Sequence, residues 1–364
     1  MGRRGLTRRE LLASAGAGAG LLAASQVSRL FSETYAAPAP LEKDLVVTNS
    51  GGAFDRALRQ HFFDPFTRAT GVNVLSVSAT AGQRWARIRA MVESGNVEWD
   101  INIAVEASIM ANQAYVEKLD CRRIPNAALH GVEGSCQEWG LLLEISPTMI
   151  AYNTNVYPPG RRPQNWADFW DVRRFPGPRG FPNYGSPWEE LAVALMADGV
   201  PPNKLFPMDV DRAFRKMDQL KPHVAVWWRT GDQSQQIMRD LEVLMNMMWS
   251  GRALTSKKQG LPIDVEWNQA INEPDYWVVY KNAPHPNAAH AFLNFFMDRP
   301  EAHLAFSNEI GYDTSNRKAL GLVPEAERSK RALAHLGKMA RIDSSWVAKN
   351  RDVLVERWNK WLAQ

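Results

Sequence analysis

From residue 44 onward, apolar and polar positions alternate between two rhythms. Asp44-Leu-Val-Val-Thr48 is a short apolar run closed by Asn49-Ser-Gly-Gly52, which predicts a strand and then a loop. Over Ala53 to Thr70, Phe54, Leu58, Phe62 and Phe66 recur at every fourth residue, the spacing of one helix face, and Gly71 stands where a C-terminal cap glycine belongs. Val72 to Val77 reads as the next strand. Gln83 to Glu93 reads as a helix with Trp85, Ile88 and Val92 inward, and Asp100 to Val105 as a third strand. Strands alternating with amphipathic helices predict an α/β architecture with a mainly parallel sheet.

The rhythm then restarts. Thr148-Met-Ile-Ala-Tyr-Asn153 predicts a strand that leaves the first domain, followed by helices near 187–198 and 209–220 and short strands near 224–227 and 243–248. Ile263-Asp-Val-Glu-Trp267 predicts a strand carrying the chain back. Paired helices follow at Asn287–Met297 and Pro300–Asn308, and a long amphipathic helix begins near Ser345. The 325 residues beyond position 39 exceed the usual content of one core, so two domains are expected, with the chain crossing between them more than once.

The first 39 residues change the picture of charge. Arg3-Arg4 and Thr7-Arg8-Arg9-Glu10-Leu11-Leu12 precede an Ala/Gly/Leu run, and Ala37-Pro38-Ala39 offers a small-residue cleavage site. This reads as a twin-arginine export signal, too short and glycine-rich for a spanning helix. It carries five Arg and two Glu, hence +3 of the formal +4, and what remains is near neutral. Charge therefore gives no argument for nucleic acid or an anionic membrane. Cys121 and Cys136 allow either a disulfide across a short loop or two separate buried thiols.

Several segments now line up with a known family. Gly51-Gly-Ala-Phe54, Phe66-Thr-Arg-Ala-Thr-Gly71-Val-Asn-Val, Ile150-Ala-Tyr-Asn153, Asn165-Trp-Ala-Asp-Phe-Trp170, Met247-Met-Trp-Ser-Gly251, Gly260-Leu-Pro-Ile-Asp-Val-Glu-Trp267 and Ile310-Gly-Tyr-Asp-Thr-Ser-Asn316 occur in this order. Together they resemble the spermidine/putrescine-type periplasmic solute-binding proteins of ABC importers. The resemblance implies a two-lobed periplasmic binding protein fold (type II-like), with a ligand cleft between lobes joined by crossover strands and closure by hinge bending. The expected division is 43–149 plus 273–310 for one lobe and 150–272 plus 311–364 for the other. It also implies a periplasmic monomer that needs no cofactor, binds a small-molecule ligand, and presents it to an inner-membrane permease and ATPase.

The candidate ligand residues follow from strand ends and from the matched motifs. Asn49, Gly52 and Phe54 lie in the loop after the first strand, where glycines admit close approach to backbone N–H groups. Glu106 ends the third strand. Trp249, in Met-x-Trp-x-Gly, is the family's stacking aromatic, and Trp188 begins a helix after Asn183-Tyr-Gly-Ser186. The family's acidic pair at that helix start falls on Ser186 and Glu189, so one acid is replaced. The family's first-lobe Asp falls on Tyr276, although a slip of one residue brings in Asp275. Basic residues stand nearby instead: Arg229 just after a strand, and Arg84 at a helix start. The ligand is therefore expected to be a small organic anion or zwitterion, with a linear polyamine as the alternative.

Other classes leave little trace. The seven His include no His-x-His or His-Glu-x-x-His pair, and there is no Gly-x-Ser-x-Gly elbow and no Gly-x-Gly-x-x-Gly loop after a strand. An exported enzyme is therefore not expected. Tyr152, Tyr157 and Tyr184 stand singly, unlike the grouped tyrosines of iron(III) receptors with a similar fold. Capture for sensing instead of import stays open.

Overall fold

The computed structural model describes residues 40–364; the readings of export signal and cleavage site fall on residues outside these. Thirteen strands follow in chain order: β1 (Asp44–Asn49), β2 (Asn73–Ser78), β3 (Ile101–Val105), β4 (Cys136–Gln137), β5 (Gly140–Ile145), β6 (Thr148–Asn153), β7 (Arg179–Pro182), β8 (Val224–Trp228), β9 (Met245–Trp249), β10 (Ile263–Asn272), β11 (Asp275–Val279), β12 (Asp313–Thr314) and β13 (Ala340–Arg341). They form two sheets. One has the order β12-β5-β11-β3-β1-β2 with β4 beside β5, and the other has β13-β10-β6-β9-β7-β8.

Each predicted element is present, with boundaries set by local chemistry. The helix predicted from Gln83 begins at Ala81, because the Thr80 side chain accepts from Gln83 N while Gln83 Oε1 accepts from Thr80 N, a capping box. The Phe54–Phe66 stripe runs through Gly52–Leu58 and Asp64–Thr70, with a π turn over Arg59–Phe63 between them. Pro65 has no N–H to give to the turn before it, which loosens the ladder at that point. Leu58, Phe62 and Phe66 are fully buried, and Gly71 caps the helix in the left-handed region.

The sheets are mixed, not mainly parallel. β1, β2 and β3 are parallel, as are β7, β8 and β9, but β11 runs antiparallel to β3 and β5, and β6 runs antiparallel to β9 and β10. A chain that leaves one sheet and returns from the other must reverse direction, and β5–β6 and β10–β11 are these passages. The third passage falls later than position 311. Asp313–Thr314 pairs with Ile145 and Glu144 of β5, and Asn316 Nδ2 donates to Met297 O, so this segment covers the open edge of the first sheet. Only β13 rejoins the second.

Two large cores lie in the two lobes. Phe62, Phe63, Trp277, Phe292 and Phe296 fill the first, and Trp166, Phe169, Phe181, Leu191 and Trp358 the second. The lobes touch beside the passages. The helix Ser344–Ala363 packs on Glu106–Ala111, and a Cβ on Gly251 would lie 2.4 Å from Ile310 O.

Of the two cysteine readings the bonded one holds: Cys121 and Cys136 are joined across a separation of 15 residues. A loop of this length confines the unfolded chain enough to contribute about 3 kcal/mol. Replacing both with serine is expected to lower the unfolding free energy in urea by that amount. No change would show that the unfolded chain is already confined there.

Candidate ligand cleft

The parallel strands of both lobes end at the passages, and a group of carboxyls collects there, Glu144, Glu189 and Glu273 buried and Asp275 half-buried. Glu189 comes from the helix Pro187–Ala197, Glu273 from the turn between β10 and β11, Asp275 from the first residue of β11, and Glu144 from β5 opposite Asp275. Glu189 accepts from Tyr184 Oη at 2.8 Å, and Glu273 accepts from Trp188 Nε1 at 3.1 Å. Asp275 accepts from Ser146 Oγ at 3.3 Å.

Burial dominates the electrostatics. It raises Glu189, and it pushes Glu273 and Glu144 well above the usual carboxylate range, with Glu189 adding repulsion at Glu273 and Asp275 adding it at Glu144. Asp275 is pushed up to about 6 by burial, although the Arg84 guanidinium favours its charged form. Neither Glu144 oxygen has a protein partner, and Glu273 Oε1 has no donor. Beside the acids, half-buried Tyr184 and Trp249 present aromatic faces, backed by the fully buried Trp228. Tyr184 stacks 5.5 Å from Trp228 and lies 5.1 Å from Trp249, whose ring is 5.4 Å from Trp228. Acids beside aromatic faces suit an ammonium group on a short apolar body.

The residues singled out from sequence fall into three groups. Glu189, Trp188 and Trp249 are in this cluster, although Trp188 is buried and holds Glu273 in place instead of forming a wall. Ser186 caps the same helix without a side-chain hydrogen bond. Between the two alternatives on β11, Asp275 joins the cluster, while Tyr276 packs 4.6 Å from Trp139.

The others lie around it. Asn49 is buried and shapes its loop, accepting from Gly51 N and donating to Asp55 and Ser76. Gly52, with φ of 65°, faces Asp232 of the other lobe across 4.0 Å from a notional Cβ. Phe54 leans on Phe306 in the first core. Arg84 is buried and its Nη atoms donate to Ala79 O at 2.6 Å and Ile103 O at 3.0 Å, so its fork is committed to backbone. Glu106 meets Ser344 at the contact between lobes. Arg229 is exposed, one turn of chain from Asp232.

Glu273 carries no mark in the sequence. It stands alone in Asn272-Glu-Pro274, which reads as a turn, and only the meeting of β10 with β11 turns it inward. Glu144 is equally silent within an apolar run. Among the described residues, no group of three or more His, Cys, Asp or Glu is arranged to hold a metal ion, and no helix is long and apolar enough to cross a membrane.

Comparison with known proteins places the chain in a family. Residues 61–331 match the model of the family described as bacterial extracellular solute-binding protein. A gamma-aminobutyric acid-binding protein of Pseudomonas aeruginosa is 33% identical over 92% of this chain and 96% of its own length. The solved open, unliganded binding protein AttC of Agrobacterium tumefaciens is 36% identical over 88% of this chain and all of its own, with a TM-score of 0.67. A solved GABA receptor is 28% identical over 88% of this chain and 98% of its own, with a TM-score of 0.80. With two lobes, three passages between them and a family match over most of its length, the chain belongs to the bacterial extracellular solute-binding proteins.

Proposed function

We propose that this protein is the substrate-binding component of an ABC importer, acting in the periplasm as a monomer. Its proposed ligand is a small zwitterion, of the linear amino acid class that includes γ-aminobutyrate. The observation that carries this reading is the set of carboxyls, buried Glu189 and Glu273 with half-buried Asp275, beside the half-buried faces of Tyr184 and Trp249, which Trp228 backs. A buried charge needs an opposite one, and here an ammonium supplies it. The aromatic faces cover the methylenes. For the carboxylate end we assign Arg229, exposed at the end of β8 near the point where Gly52 faces Asp232. Relatives named for γ-aminobutyrate support the same class. The ligand leaves as it arrived, handed to a permease, with no bond made or broken.

The extra acids around Glu189 favour a second reading, a polyamine, because two ammonium groups would use more of them. Calorimetry with γ-aminobutyrate, β-alanine, butyrate, putrescine and spermidine separates the two. The expected result is binding of an ω-amino acid at least 100-fold tighter than of butyrate or putrescine, a difference of about 2.8 kcal/mol. Tight spermidine binding with none for any acid refutes the zwitterion.

A further inference from the structure

We infer that Trp188 is a positioning residue for the ligand: its indole N–H holds one oxygen of Glu273 and leaves the other, Oε1, for the ligand ammonium. This rests on the reading above that an ammonium end meets these acids.

Glu273 lies where the chain itself cannot hold its side chain. β10 ends at Asn272 and β11 begins at Asp275, so Glu273-Pro274 is the whole of that passage between the lobes. Pro274 has no N–H, and no donor to the carboxyl comes from the next position. The donor comes instead from 85 residues earlier. Trp188 lies in the first turn of the helix Pro187–Ala197, and its Nε1 donates to Glu273 Oε2 at 3.1 Å. Its ring is packed in the core of the second lobe and is 1% exposed, so packing fixes the direction of the N–H. Oε1 is equally buried and has no donor from the protein. A buried acceptor left open is unfavourable, and an ammonium N–H is a donor that satisfies it.

Tryptophan suits this role because the indole nitrogen only donates, so an ammonium does not draw it away from the carboxyl. The surrounding charges add weight to the bond. Burial works against an ionised Glu273, as does repulsion from Glu189 on the same helix as Trp188 and from Asp275 on β11, whereas the indole N–H favours the charged form. Arginines do not take over that task. The Nη atoms of Arg84 are bound to Ala79 O and Ile103 O, and Arg252 is turned to Asp232 and Gln235.

The bond also sets which lobe each acid belongs to. Trp188 ties Glu273 to a helix of the second lobe, while Asp275, two residues on, is paired with Val105 and Glu144 in the first sheet. An ammonium accepted by both is held across the passage, with one acid from each side.

The test is a double-mutant cycle on the full chain, read by calorimetry with γ-aminobutyrate. Trp188→Phe keeps a ring in the core and deletes the donor, and Glu273→Gln keeps the shape and deletes the charge. Each is expected to weaken binding about 10-fold to 100-fold, the effect of one hydrogen bond to a charged group. With Glu273→Gln already in place, adding Trp188→Phe should weaken it by less than about twofold, because the two act through one bond. Equal losses in both backgrounds, the behaviour of a residue that only fills the core, overturn the proposal. A second measurement needs no change at Trp188. In ligand-free protein labelled with nitrogen-15 at tryptophan, Glu273→Gln is expected to shift the Trp188 indole N–H resonance, and the proposal falls if no indole resonance moves. If γ-aminobutyrate fails to bind and putrescine binds, the zwitterion falls, and the same cycle with putrescine decides the role of Trp188. If γ-aminobutyrate binds and Glu273→Gln leaves its affinity within threefold, the choice of ligand stands and the proposal falls. Binding of neither overturns both.

Discussion

Glu189→Gln is expected to weaken γ-aminobutyrate binding roughly 30-fold to 4,000-fold, the effect of about 2–5 kcal/mol for truncating one partner of a buried, hydrogen-bonded charge pair. The side chain is 4% exposed and is held by the Tyr184 hydroxyl at 2.8 Å, so neither water nor a rotamer change substitutes for the lost charge. Glutamine has the same shape and keeps an oxygen for Tyr184. It also removes one acid from a crowded group with Glu190, Glu273 and Asp275. The ligand-free variant should therefore unfold no more easily than the parent protein. Calorimetry and urea unfolding together read this out. An affinity within threefold of the parent would remove Glu189 from the ligand site.

Trp166→Ala is expected to cost at least about 3–5 kcal/mol of stability, the range for deleting a buried large aromatic. Trp166 is fully buried and lies 5.6 Å from Phe169. It also secures an unusual stretch of β10. The register of β10 against β6 shifts between Glu266 and Ile271, and Gln269 in that bulge has φ of 64°, a conformation uncommon for a residue with a side chain. Trp166 Nε1 donates to Gln269 O at 2.7 Å, and Trp166 N donates to Gln269 Oε1 at 3.2 Å. Asn165 caps the short helix by accepting from Asp168 N at 2.9 Å. Alanine keeps the backbone N–H that bonds Gln269 Oε1 but removes the indole donor to Gln269 O, so the bulge loses one of these two bonds, and β10 leads directly to Glu273. Urea unfolding gives the loss. A change below 1 kcal/mol, at the small end of core substitutions, would show that the bulge supports itself.

These two residues also mark how far the sequence could be read. Asn165-Trp-Ala-Asp-Phe-Trp170 stands out as a family segment, but nothing in it names Gln269 as the partner. Glu189 is found from its place three residues after Ser186 at a helix start. Its neighbour Glu273 is not, because the two are separated by most of the second lobe and come close only when β10 returns. Arg84 shows the opposite error. At a helix start it reads as an anion receptor, whereas packing buries it and gives its fork to Ala79 O and Ile103 O. A side chain's chemical type is legible locally, and its commitment to other groups is not.

The sequence by itself determined the alternation of strands and helices, the two-lobed fold and the family. These depend on hydrophobic spacing and on neighbours in the chain, which lie within a few residues of each other. Only the tertiary structure decided which acids face one another, that Asp275 and not Tyr276 joins them, and that the third passage follows β12. Those facts depend on strand register and on contacts between residues far apart in the chain, where a shift of one position exchanges a buried side chain for an exposed one.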